Sequence, residues 1–197
     1  DDAADWGVKA LEVAARGLTC TTAVHICYGY GIEANNKWKE TLGHEWRQYE
    51  KVFPALAKSS IQQVSLECMH SHVPMEMMKL LEGKDVMVGV IDVANPAIET
   101  PEEIADTIGR ALQFVPKNRL IACTNCGLAP MRREVALKKL EALAKGAALA
   151  RELAAVWPDA VRRETLVAQL RTVLGRMRTS EVPFRCDQLA GSSRSKP

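Results

Sequence analysis

No apolar run in this sequence approaches the roughly 20 residues that a membrane-spanning helix needs, so no such helix is expected. A basic start followed by an apolar stretch is also missing, and no signal peptide is expected. Cysteine is too scarce for a disulfide scaffold: six residues in a chain of 197, at positions 20, 27, 68, 123, 126 and 186. Nothing points to export, so reduced thiols and a cytoplasmic setting are expected. An excess of charge of one sign is absent as well. The net charge of +2 selects neither for nor against nucleic acid, and neither nucleic acid nor membrane is expected as a partner. No internal repeat of fixed period stands out. What remains is an ordinary globular composition, 47% hydrophobic and 25% charged, with length for one domain or at most two. The chain opens on Asp1-Asp2-Ala3 rather than Met, as expected of a fragment or a processed product.

The hydrophobic pattern alternates between two periods. Residues 6–18 predict an amphipathic helix, with Val8, Leu11, Ala15 and Leu18 at helical spacing and Gly17 near its end. Residues 22–28 form a short β-prone run bounded by Gly29 and Gly31. Residues 41–57 read as helix, with Trp46, Tyr49 and Phe53 pointing inward, and residues 61–67 as strand. Pro74 opens a short helix that Gly83 stops. Residues 86–93 are continuously apolar, as in a strand buried on both faces. Thr100-Pro101-Glu102-Glu103 is a capping box with Pro in the first turn, opening a helix that lines up Ile104, Ile108, Ala111 and Leu112. A fourth strand follows at 120–124 and a long Ala/Leu/Lys helix at 130–155. One helix and four successive βα units imply a parallel α/β sheet with right-handed crossovers. Periodicity leaves open whether it is a small open sheet or half of a (β/α)8 barrel.

Three of the four strands end in metal-ligand residue types. His25 and Cys27 lie two apart, so on a strand they share a side. Glu67 ends the second strand, and Cys123-Thr124-Asn125-Cys126 follows the fourth. In a parallel sheet all these ends lie along one edge, where sites form. Two thiolates, an imidazole and a carboxylate suit zinc. Plainer roles fit the same residues: His25 and Cys27 as core, Glu67 as a cap. Cys123 and Cys126 also read as a redox dithiol, although no Trp or Pro flanks them in the usual way. Cys68 points to the other face and reads as packing. His70 and His72 sit in a loop and read as solvated, and His44 carries no signal.

Taken in order, VHICYGYG, VSLEC, VGVIDVANPAIETPEE and CTNCGLAPMRR resemble the C-terminal catalytic barrel of cobalamin-independent methionine synthases, especially the short single-barrel members. The resemblance runs from about Trp6 to about Leu153. It implies a (β/α)8 TIM-type barrel, with zinc held by His25, Cys27, Glu67 and Cys126. It also implies homocysteine as the thiol substrate, bound through its sulfur and methylated to methionine. The methyl donor is methyltetrahydrofolate in the common members. The family's Asp-x-His-Ser-Pro pattern reads Asp92-Val93-Ala94-Asn95-Pro96 here, so Ala94 stands where a proton-handling His is usual and leaves the donor open.

The expected organisation is residues 1–155 as the C-terminal half of such a barrel, and 156–197 as a basic amphipathic helix with a disordered tail. From Asp159 to Pro197 there are eight Lys/Arg against four Asp/Glu. A half-barrel exposes two strand edges, so it is expected to dimerise or to require its N-terminal half. Two alternatives to the methyltransferase remain: a noncatalytic zinc-binding or interaction protein derived from a truncated barrel, and a thiol oxidoreductase using the CxxC.

Overall fold

In the computed structural model, which describes residues 3–30 and 32–156, the two most buried strands lie at the centre of one sheet. The order of elements is α1 (Ala3–Ala15), β1 (Ala23–Ile26), α2 (Glu33–Glu40), α3 (Phe53–Lys58), β2 (Gln63–Glu67), β3 (Asp85–Gly89), α4 (Pro101–Ala111), β4 (Leu120–Cys123) and α5 (Arg133–Val156). The four strands are parallel, in the spatial order β1-β2-β3-β4. His25 pairs with Ser65, Glu67 with Gly89, and Gly89 with Cys123, so the C-terminal strand ends come out side by side. Val64, Leu66, Val86 and Val88 are almost fully buried, and the core continues under α3 and α4 through Phe53, Leu56, Ile104 and Ala111. The α/β expectation and all four strands are therefore found.

Helix ends follow local chemistry. α1 stops two residues before Gly17, whose φ of +82° suits a residue without Cβ. Leu18, expected on its apolar stripe, lies beyond that stop and is 57% exposed. The Thr100 hydroxyl accepts from the Glu103 amide at 3.2 Å while the Glu103 carboxylate accepts from the Thr100 amide at 2.8 Å, completing the capping box. The methionine-rich segment after Pro74 is a 3-10 helix, Met75–Leu81, that buries Met75, Met77, Met78 and Leu81.

The single helix expected over 41–57 is not formed. Gly43 adopts φ +74°, and the chain turns into a 3-10 segment, Gln48–Lys51, before α3 starts with Pro54 in its first turn. Tyr49 and Phe53 nonetheless point inward as expected. Just before that stretch the chain forms α2, a helix not expected from the sequence, which buries none of its residues and so leaves no apolar stripe. It is fastened by side chains instead: Asn35 Nδ2 donates to the Tyr28 carbonyl and Lys39 Nζ to the Gly29 carbonyl.

α5 lies along α4, and Gly146 permits the approach, since any Cβ there would collide with Ile104. Lys139 is fully buried on this helix and donates to both Glu99 oxygens at 2.8 and 2.9 Å. Glu99 in turn accepts from the Asp92 amide at 2.8 Å, so the ion pair fixes the loop between β3 and α4 to α5. The basic stretch expected over 156–197 lies, from residue 157 onward, outside the described residues.

Candidate metal centre

β1 delivers His25 and Cys27 to the C-terminal edge of the sheet, and the turn after β4 delivers Cys126. The Cys126 Sγ lies 3.3 Å from His25 Nε2 and 3.8 Å from Cys27 Sγ. One ligand atom from each of the three residues lies within 4.8 Å of the other two. A tetrahedral zinc ion with Zn–S near 2.3 Å and Zn–N near 2.05 Å separates two sulfurs by about 3.8 Å, and sulfur from nitrogen by about 3.5 Å. The donor types and their spacing therefore fit zinc. The other ring nitrogen, His25 Nδ1, is 3.0 Å from Ser65 Oγ on the neighbouring strand, which leaves Nε2 aimed at the cluster. Burial pushes the Cys27 thiol up to about 11, with the nearby Cys126 and Glu67 adding in the same direction. Without a cation beside it, Cys27 is a protonated thiol at neutral pH.

Glu67 is placed next to this cluster but not in it. It follows Ser65 by two positions on β2, on the same face, and is 5% exposed. Its Oε1 accepts from the Tyr28 amide at 3.1 Å and its Oε2 from the Tyr30 hydroxyl at 2.6 Å. Tyr28 is itself clamped, with ring centroids 4.7 Å from Trp46 and 4.8 Å from Tyr49, and its hydroxyl donates to Gln48 at 2.6 Å.

One of the two residues between the cysteines of the CxxC, Asn125, holds the edge together. Asn125 Oδ1 accepts from the Cys68 and Met69 amides at 3.1 and 3.2 Å, and its Nδ2 donates to the Met69 carbonyl at 2.8 Å. The side chain passes over Gly89, where a Cβ would sit 2.5 Å from Asn125 Oδ1 and 2.7 Å from the Leu66 carbonyl. Sequence reasoning missed Asn125, Ser65 and Tyr30. Their positions were legible, inside the CxxC, two before Glu67 and three after Cys27, but polar side chains facing a neighbouring strand carry no periodic signal.

The two thiols of the CxxC serve different partners. Cys123 Sγ turns back to Ser65 Oγ at 3.8 Å, whereas Cys126 faces His25 and Cys27. Cys68 is buried packing, as expected, and burial pushes its thiol up to about 12. Beyond the cluster, His70 adopts φ +54° with Nδ1 3.0 Å from Asp92 Oδ2, and His72 stacks on Trp46. Ala94 donates its amide to Asp92 Oδ1 at 2.8 Å, which ties the loop without bringing a ring to that position.

Fold and cluster together define a parallel α/β protein with a candidate sulfur–nitrogen metal centre at the C-terminal strand ends. The model of the family described as "Cobalamin-independent synthase, Catalytic domain" matches residues 2–149, and the chain belongs to that family. A methionine synthase of Saccharolobus islandicus is 30% identical over 149 residues, which is 75% of this chain and 40% of that protein. One from Saccharolobus solfataricus is 28% identical over the same length. Among solved structures, a B12-independent methionine synthase from Shewanella sp. W3-18-1, in complex with selenomethionine, is similar at 58% identity and a TM-score of 0.72. That match covers 77% of this chain and 45% of the Shewanella chain, and the sheet described above matches a TIM-barrel-type fold. The chain thus spans 40% of the length of the Saccharolobus relatives.

Proposed function

We propose that this chain is the zinc-bearing half of a methyltransferase that converts homocysteine to methionine, with His25, Cys27, Cys126 and Glu67 as the metal ligands. The observation that carries the reading is the His25–Cys27–Cys126 cluster at the C-terminal edge of the sheet of a cobalamin-independent synthase family member. Zinc bound there supplies Lewis acidity that keeps a ligated thiol deprotonated near neutral pH, the state in which sulfur is nucleophilic. The protein's share is positional. Ser65 orients the imidazole, Asn125 fixes the turn that carries Cys126, and Tyr28 and Tyr30 hold the Glu67 carboxylate beside the fourth position. The Shewanella relative's complex with selenomethionine supports a site for a methionine-like amino acid in this family.

Methyltetrahydrofolate or another methyl donor completes the reaction, and the role of the usual His passes to another group because Ala94 occupies that position. Residues 1–155 serve as half of the barrel. Four further βα units, from the rest of a longer chain, a partner or a second copy, would close the free edges of β1 and β4. Two ligand cysteines must stay reduced, which supports a cytoplasmic setting.

The test is zinc per chain by elemental analysis in the wild type and in Cys126→Ser, with and without homocysteine. About one tightly held zinc, lost in the variant and altered in its coordination by homocysteine, is the expected result. Zinc retained but insensitive to homocysteine supports a noncatalytic zinc-binding protein instead. No zinc in the purified, reduced chain overturns the reading.

A further inference from the structure

We propose that Tyr28 and Tyr30 form a resting place for the Glu67 carboxylate, and that the strength of the Tyr30 hydrogen bond sets how readily Glu67 leaves the metal to admit a substrate sulfur. The inference rests on the metal site proposed above and concerns how this chain's own carboxylate divides its time.

Register puts Glu67 beside the cluster. His25 and Ser65 are strand partners, and Glu67 lies two positions on, on the same face. Yet each of its oxygens has its own donor on β1's following loop, the Tyr28 amide and the Tyr30 hydroxyl. Because Glu67 is 5% exposed, water is a poor substitute for those donors. A buried carboxylate without a partner is costly, so Glu67 has two good positions, on a cation or on these donors, and a poor path between them.

The two donors differ in kind. Tyr28 offers a backbone amide, and its ring is locked among Trp46, Tyr49 and Gln48. Tyr30 offers a side-chain hydroxyl at 2.6 Å, in the length range of a strong charge-assisted bond. Tyr30 is therefore the adjustable half of the resting place, and its ring carries Lys39 Nζ at 5.3 Å from the centroid. Removing the hydroxyl weakens the resting position while leaving every metal ligand in place. Tyr30 is a positioning residue in this scheme.

The experiment compares the 197-residue chain as wild type, Tyr30→Phe, Glu67→Gln and the double variant. Zn2+ affinity is measured by chelator competition, and the Co2+-loaded protein is titrated with homocysteine while its absorption spectrum is followed. With one charge-assisted hydrogen bond removed, Tyr30→Phe is expected to bind Zn2+ about tenfold more tightly and to need about tenfold more homocysteine to change the Co2+ spectrum. Both shifts vanish in the Glu67→Gln background. A ring-fluorinated tyrosine at position 30, a stronger donor, moves both readouts the opposite way. Equal values for wild type and Tyr30→Phe, or equal shifts with and without the Glu67 carboxylate, overturn the proposal and leave the metal site standing. Failure of the wild-type chain to bind either metal overturns both.

Discussion

Ser65 illustrates how a single hydroxyl prepares this site. Its Oγ, 3.0 Å from His25 Nδ1, selects which imidazole nitrogen faces the two sulfurs. Ser65→Ala leaves the three proposed ligands intact and is expected to weaken Zn2+ binding about 10- to 100-fold, the usual cost of losing the hydrogen bond that orients a ligating imidazole. Chelator competition measures it, and an unchanged affinity would show that the ring is oriented by packing alone. Protons give a second residue-scale expectation. Burial raises the thiols of Cys27 and Cys68 from 9.0 to about 11 and about 12, and the Tyr28 hydroxyl from 10.0 to about 12. A group with a raised pKa keeps its proton in the folded chain at a pH where the unfolded chain has lost it. Its stabilisation is complete below the unfolded pKa and disappears as pH climbs through the folded one. The metal-free chain is therefore expected to lose stability between pH 9 and pH 12. A lower urea midpoint at pH 10 than at pH 8 agrees with this, and an equal or higher one contradicts it.

Among elements, the α4–α5 pair depends on chemistry that periodicity does not display. Lys139 looks like one more exposed lysine in an Ala/Leu/Lys helix, yet it is fully buried on Glu99. Removing one partner of a buried pair strands the other charge, at a typical cost of about 3–5 kcal/mol. Lys139→Ala is expected to destabilise the chain on that scale. A Lys139→Met/Glu99→Gln double variant should lose less, because no charge is stranded. Denaturant unfolding measures both, and a near-neutral Lys139→Ala would remove the pair from the account. The capping box at Thr100 and the buried strands were legible because each is written in local sequence: a fixed spacing in one, an unbroken apolar run in the other. α2 was not, since it buries no residue and is held by side-chain bonds to backbone carbonyls of the loop just before it. The supposed helix over 41–57 carried the right anchors at the wrong backbone, because Tyr49 and Phe53 are inward in a 3-10 turn and a short helix as well. His25, Cys27 and Cys126 were legible as ligand types at equivalent strand ends. The placement of Glu67 was not, because it depends on which side chains of the β1 loop reach it.

For the molecule as a whole, four parallel strands run in sequential order, and the two outer ones, β1 and β4, have unpaired edges among the described residues. The cluster hangs on one of those outer strands and on the turn after the other, so three candidate ligands converge from the two ends of the sheet's C-terminal edge. That convergence needs only these four strands. Under the proposed function, gripping an amino acid and a methyl donor needs walls on the far side as well, and this chain spans 40% of its Saccharolobus relatives. On the function proposed above, metal binding and thiol exchange are expected of the chain itself, and methyl transfer only together with the strands that complete a barrel. The most direct measurement is zinc X-ray absorption on the reduced, metal-loaded chain before and after homocysteine. One zinc with two sulfur and two nitrogen or oxygen neighbours is expected, gaining a third sulfur and losing one oxygen when homocysteine is added. A shell without two sulfurs, or one that homocysteine leaves unchanged, would contradict the proposed function.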